Sequence, residues 1–119
     1  MSKRISEAQI VQKPWGFEKI WAKTDKYVGK TLHIMPGHRL SLQYHEVKEE
    51  TIHVLSGTLK AYTTELEIEH IMTEGTSLHI TPGMIHRFEA PADGGPVVLL
   101  EVSTPELDDV VRLKDDYER

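Results

Sequence analysis

Short segments in which apolar and polar residues alternate fill most of the chain, and turn-forming residues separate them at regular intervals. Alternation with a period of two is typical of strands that bury one face. Many such strands with frequent Gly and Pro turns favour a sandwich or barrel over βαβ units. The pattern predicts strands near residues 17–23, 28–35, 39–46, 51–56, 58–63, 66–72, 77–81, 85–90 and 97–103.

Helical periodicity is weak throughout, and the best candidate is a short turn near residues 106–110. A chain of 119 residues has room for one domain. We therefore predict a single all-β domain over residues 1–119, with an N-terminal arm at 1–13 and a C-terminal tail at 105–119. The arm, from residue 5 onward, is a candidate strand for covering the sheet edge of a neighbour.

The composition is that of an ordinary globular protein, with 39% hydrophobic and 28% charged residues. The absence of cysteine excludes disulfides, thiolate nucleophiles and sulfur-ligated metals. A net charge of −5 argues against nucleic acid as a partner. Neither a signal-peptide core nor a long apolar run is present. We therefore expect a cytoplasmic protein without nucleic-acid or membrane partners.

Side chains able to bind a metal concentrate in two segments. Gln43 and His45 stand two positions apart and so project from one face of a strand. Glu50 opens the next strand, and His86 follows the Pro82-Gly83 turn. Two imidazoles, a carboxylate and an amide oxygen suit a divalent cation such as zinc, manganese, nickel, cobalt or iron. The alternative is a β-sandwich whose polar side chains line a barrel mouth.

These segments resemble the two sequence motifs of the cupin superfamily, at residues 37–57 and 75–86. Three positions depart from the usual motifs: Gln43 stands at a histidine position, Thr81 at a proline position and Ala90 at an asparagine position. The resemblance implies a cupin fold, that is, a double-stranded β-helix or jelly-roll barrel. It also implies one divalent metal ion held by Gln43, His45, Glu50 and His86.

A finer resemblance extends over nearly the whole chain. Residues 13–16, 36–45, 86–88 and 109–117 are similar to the type II mannose-6-phosphate isomerase domain. That domain is commonly fused behind a mannose-1-phosphate guanylyltransferase, and its metal ligands include a glutamine at the position of Gln43. The resemblance implies a homodimeric, metal-dependent isomerase of mannose 6-phosphate and fructose 6-phosphate, which we expect here as a stand-alone domain.

The isomerase reaction moves a proton between C1 and C2 of the sugar and requires a cationic partner for the phosphate. Arg39 and Arg87 are the predicted phosphate-binding catalytic residues, because a guanidinium matches a phosphate through two parallel hydrogen bonds. Arg39 shares the predicted ligand face, whereas Arg87 directly follows a ligand, and simple alternation points it away from the metal. The sequence leaves the catalytic base open among His79, Glu101 and Tyr62.

Two other functions remain open from the sequence. The chain is alternatively a non-catalytic cupin whose metal anchors a sugar or metabolite, or a small dioxygenase-like cupin. A base inside the barrel would argue against the first alternative. Gln43 as a fourth ligand argues against the second, because it fills a position that oxygen would need.

Overall fold

Two antiparallel β-sheets pack around a shared core in the computed structural model, which describes residues 4–64 and 69–117. The strands are β1 (Gln9–Lys13), β2 (Gly16–Lys23), β3 (Val28–Ile34), β4 (Leu42–Tyr44), β5 (Glu50–Ser56), β6 (Leu59–Thr63), β7 (Glu69–Met72), β8 (Ser77–Ile80), β9 (His86–Glu89), β10 (Val97–Ser103) and β11 (Val111–Lys114). The first sheet has the order β1-β2-β3-β10-β5-β8, and the second has the order β11-β4-β9-β6-β7.

The all-β prediction is confirmed, and the described residues contain no helix. The predicted strand at 66–72 corresponds to β7 over residues 69–72. The first part of that prediction lies outside the described residues. The arm contains β1, but this strand pairs with β2 of the same chain and not, as the sequence suggested, with a neighbour. Strand β11 in the tail, which pairs with β4, was not predicted. The segment 106–110, the best helical candidate, forms a hydrogen-bonded turn in which the N–H of Asp109 donates to the carbonyl of Glu106, and it does not extend into a helix.

No helix in the described ranges is both long and apolar enough to cross a lipid bilayer.

Apolar side chains fill one end of the space between the sheets. In β10 the inward positions run from Val97 and Leu99 to Glu101, so the buried face changes from apolar to charged along one strand. Leu32 and Val54, which pair with Leu99 on the two flanking strands, are buried beside this apolar half. Burial of such side chains contributes about 1.5–3 kcal/mol each. The apolar half of the inner face therefore stabilises the fold, and the charged half lines a polar cavity.

Two turns depend on glycine because their backbones have positive φ. Gly57, between β5 and β6, has φ of 86°, and a Cβ there would lie 2.4 Å from the carbonyl oxygen of Pro96. Gly75, just before β8, has φ of 88° but faces open space. Both angles lie in the left-handed region that glycine adopts at low cost.

Candidate metal centre

A polar cavity of about 230 Å³ lies between the two sheets, where the charged half of the inner face begins. Strands of both sheets and the segment before β11 line it. The cavity contains all four side chains that the sequence predicted as metal ligands: Gln43, His45, Glu50 and His86.

Three of these side chains bring their donor atoms together. Oε1 of Glu50 lies 3.1 Å from Nε2 of His45 and 3.3 Å from Nε2 of His86. All three residues are buried, and their potential ligand atoms lie within 4.8 Å of one another. Gln43 on β4 is the direct partner of His86 on β9, so its side chain emerges on the same face of the sheet. The strand pairing thus places an amide beside the three clustered groups.

The outer nitrogens of both imidazoles are held by the backbone. Nδ1 of His45 donates to the carbonyl oxygen of Asp109 at 2.6 Å, and Nδ1 of His86 donates to that of Met84 at 2.9 Å. A neutral imidazole that donates through Nδ1 presents a lone pair at Nε2. Two such lone pairs and a carboxylate then face one another, which requires a proton or a cation between them. The donor set therefore fits a divalent metal ion.

The Glu50 carboxylate is held in its charged form. Burial alone would raise its pKa, but hydrogen bonds with His45, His86 and Glu101, together with the charge of Lys48, keep the pKa well below the usual value. An ionised carboxylate in a buried site is the state that a cation requires of its ligand.

A network of buried charged side chains extends from Glu50 on the side away from His45 and His86. Nζ of Lys48 lies 3.6 Å from Oε2 of Glu50 and 3.2 Å from Oε2 of Glu101. Nζ of Lys30 lies 3.7 Å from the same Glu101 oxygen and 3.1 Å from Oε2 of Glu18. All five residues are more than nine-tenths buried. Because buried charges are costly unless they are paired, this network is built into the fold rather than solvated.

Burial and the neighbouring charge of Glu50 raise the pKa of Glu101 to about 8, against the opposing effect of Lys30 and Lys48. The network was not predicted from the sequence, because a lysine on a strand is usually exposed, whereas Lys30 is buried. One signal was available. Lys30 and Glu101 each stand two residues from a buried leucine of the same strand, a spacing that places them on the inner face.

The loop that joins His45 to Glu50 is fixed by a residue of the tail. The carboxylate of Asp109 accepts hydrogen bonds from the backbone N–H groups of Glu46, Val47 and Lys48, at 3.0, 2.7 and 2.8 Å. These backbone hydrogen bonds lower the pKa of Asp109. The tail therefore shapes the loop between two of the candidate ligands.

Arg39 and Arg87, the predicted phosphate-binding residues, lie outside the cavity. Arg39 donates two hydrogen bonds to Asp116, at 2.7 and 3.2 Å. Arg87 donates to the backbone carbonyls of Leu40 and Lys114. Both arginines line a separate surface groove. The structure thus brings the four predicted ligands together and places the two arginines elsewhere.

The predicted bases are also separated. Glu101 lines the cavity, whereas Tyr62 lines the outer groove with the two arginines. His79 is exposed and contacts Glu49. Of the three side chains considered as the base, Glu101 is therefore the one near the candidate ligands.

Comparisons with known proteins agree with this architecture. Residues 2–115 match the family described as Mannose-6-phosphate isomerase C-terminal. Over 112 residues the chain is 37% identical to a mannose-1-phosphate guanylyltransferase of Escherichia coli (strain K12), and the match covers 92% of this chain. It is 35% identical to the xanthan biosynthesis protein XanB of Xanthomonas campestris pv. campestris over a similar span. The chain spans 23% of the length of each relative, close to a quarter.

Solved structures share the fold at low sequence identity. The polyketide cyclase RemF of Streptomyces resistomycificus superimposes with a TM-score of 0.77 at 21% identity, over 95% of this chain and 86% of that one. A sugar phosphate isomerase of the cupin superfamily from Silicibacter pomeroyi gives a TM-score of 0.66 at 23% identity, over 74% and 58% of the two chains. These similarities confirm the predicted cupin fold. This chain therefore belongs to the mannose-6-phosphate isomerase C-terminal family and has a cupin fold.

Proposed function

We propose that this chain is a metal-dependent aldose–ketose isomerase that interconverts mannose 6-phosphate and fructose 6-phosphate. The observation that carries the proposal is the convergence of His45, Glu50 and His86 in one buried cavity of a chain that belongs to this family. Gln43 is the proposed fourth ligand, because it lines the same cavity and pairs with His86.

A divalent cation bound by these four side chains would polarise the substrate oxygens at C1 and C2 and stabilise the negative charge that develops there. The protein contributes ligand orientation through the backbone carbonyls that hold both imidazoles. It also contributes apolar walls, since Trp15 and Phe88 are buried and line the same cavity. Such walls limit water near the reacting atoms.

Glu101 is our candidate for the group that moves the proton between C1 and C2. The proposal rests on position: its side chain lines the cavity and is linked through Lys48 to the Glu50 carboxylate. A general base must come within hydrogen-bond reach of the proton that it removes. His79 and Tyr62 do not line this cavity.

The guanylyltransferase activity in the name of the Escherichia coli relative is not extended to this chain, which spans only 23% of that relative's length. The isomerase proposal instead uses the family of the matched region and the chemistry of the cavity. The homodimer expected from the resemblance stays a prediction, which light scattering of the purified protein would test.

The test is to strip the protein of metal, reload it separately with zinc, manganese, cobalt, nickel or iron, and assay conversion of mannose 6-phosphate to fructose 6-phosphate. His86→Ala removes a buried candidate ligand, and His79→Ala is its matched control, because His79 is exposed and outside the cavity. We expect metal-dependent turnover that His86→Ala abolishes and His79→Ala retains. Stoichiometric metal binding without turnover for any ion would refute the isomerase and leave a metal-anchored binding protein.

A further inference from the structure

Four cationic side chains line the polar cavity, and among the described residues three of them have acidic partners. Lys30 and Lys48 are buried and paired with the glutamates of the network, and Lys13 lies 3.9 Å from Glu18. Arg112 is exposed and lines the same cavity, and within the described part of the chain it forms no ion pair. A guanidinium left unpaired at the exposed end of a buried cavity is available to a ligand.

The strand register explains why Arg112 reaches the cavity. β11 is an edge strand of the second sheet, and its Arg112 is the direct partner of Gln43 on β4. Directly opposed residues of an antiparallel pair project on the same face. Gln43 is a candidate metal ligand, so the neighbouring Arg112 stands beside the metal centre but nearer to solvent. Lys13 enters the same cavity from β1, the edge strand of the first sheet.

We propose that Arg112, assisted by Lys13, binds the phosphate monoester of the substrate at the exposed end of the cavity. The inference rests on the proposed function, because it assumes that the C1–C2 end of a sugar occupies the metal centre. The C6 phosphate then points outward, toward the exposed side chains. A guanidinium binds a phosphate through two parallel hydrogen bonds, a geometry that an ammonium group does not offer. Arg112 thereby selects phosphorylated over neutral sugars.

The charge balance of the cavity agrees with an anionic ligand. The buried network contains three carboxylates and two lysines, so a divalent cation makes its formal charge positive. Lys13 and Arg112 add two further positive charges, and Asp108 at the exposed end removes one. A net positive cavity with a water-excluding wall attracts a phosphate dianion.

The experiment measures binding rather than turnover, so that it is independent of catalysis. The full chain, loaded with the divalent ion that it binds stoichiometrically, is titrated by calorimetry with mannose 6-phosphate and separately with mannose. Arg112→Gln removes the charge, and Arg112→Lys keeps the charge without the planar fork. Lys114→Gln is the matched control, because Lys114 lies on the same strand but lines the outer groove. Thermal melts establish that each variant is folded.

We expect Arg112→Gln to weaken mannose 6-phosphate binding at least about tenfold, with mannose binding unchanged. The affinity of Arg112→Lys for mannose 6-phosphate should lie between that of Arg112→Gln and that of the wild type. Lys13→Gln should lose less affinity than Arg112→Gln. Asp108→Asn should bind mannose 6-phosphate more tightly than the wild type. Lys114→Gln should bind like the wild type. The proposal is overturned if Arg112→Gln binds as the wild type does, if Lys114→Gln loses as much affinity, or if the wild type does not prefer the phosphorylated sugar. Arg112-dependent binding without isomerisation would refute the isomerase and retain the phosphate site.

Discussion

Nδ1 of His45 donates a hydrogen bond of 2.6 Å to the backbone carbonyl of Asp109, across a sequence separation of 64 residues. The carboxylate of the same aspartate accepts three backbone N–H groups from the loop that follows His45. One residue of the tail therefore orients a candidate ligand and also shapes the loop that leads to the next one, Glu50. Contacts of this kind fix the tautomer of a metal-binding imidazole and raise its basicity.

Replacing Asp109 by alanine should weaken metal binding while the protein stays folded. The substitution keeps the backbone carbonyl but removes the three hydrogen bonds to the loop. The loop between His45 and Glu50 then becomes less ordered, and the two candidate ligands are held less firmly. We expect about a tenfold loss of metal affinity, measured by competition with a chromophoric chelator. Asp93→Ala is the control, because that carboxylate is exposed and lies outside the cavity. Wild-type affinity in Asp109→Ala would contradict this role of the tail.

Metal binding should raise the thermal stability of the protein through the candidate centre. A ligand that binds only the folded state stabilises it by about 2.7 kcal/mol at a hundred times its Kd. Differential scanning fluorimetry with and without the ion should show a rise in Tm for the wild type and for His79→Ala. The rise should be absent in His86→Ala, which lacks a ligand of the buried set. An equal rise in both variants would place the ion elsewhere.

The metal-free protein should lose stability as the pH rises from about 4.5 toward 8, because the pKa of Glu101 is raised from 4.5 to about 8. In this interval the unfolded chain has released the Glu101 proton while the folded chain retains it. The free energy of unfolding therefore falls, by at most about 1.4 kcal/mol per pH unit from this group. Above the folded pKa this contribution is constant.

Urea unfolding of metal-stripped protein at pH 5, 6, 7 and 8 measures that slope. Glu101→Gln cannot titrate, so its free energy of unfolding should vary less with pH than that of the wild type. Glu89→Gln is the control, because Glu89 is only half-buried and lines the outer groove. Identical slopes for the wild type and Glu101→Gln would show that another group controls the pH dependence.

Two glycines with nearly the same φ should respond differently to alanine. Gly75→Ala adds a Cβ in open space, so the only cost is that of a left-handed backbone at alanine, about 1–2 kcal/mol of unfolding free energy. Gly57→Ala has the same backbone cost, and its Cβ would also clash with the carbonyl oxygen of Pro96 at 2.4 Å. Urea unfolding should therefore show a larger destabilisation for Gly57→Ala. Equal losses would mean that the turn relaxes without cost.

Much of the fold was predictable because alternation and turn residues are local signals. The residues of β2, β3, β5 and β10 follow the period of two closely, and these strands lie where the sequence predicts them. The pairing of β1 and the existence of β11 were missed because both strands are short and largely exposed, so neither has a clear buried face. Their place in the sheets depends on pairing with strands elsewhere in the chain, which local pattern does not reveal.

The placement of Arg39 shows where alternation fails. Counting by twos from Gln43 puts Arg39 on the ligand face, yet the neighbours Leu40 and Ser41 both line the cavity. Two consecutive inward residues break the period, and β4 begins only at Leu42. The side chain of Arg39 therefore emerges on the outside. Arg112 was not considered from the sequence because its position depends on the pairing of β11 with β4.

Strand β10 also determines when the polar cavity with the candidate ligands can form during folding. It lies between β3 and β5, so two strands that precede it by many residues must both meet it. Local hairpins such as β1–β2 and β6–β7 close over short loops, whereas insertion of β10 carries a large loop-closure entropy. Glu101 meets Lys30 and Lys48 only in that step. Binding of the proposed ion is therefore expected to be a late event on the folding pathway, and its kinetics would report when the first sheet is complete.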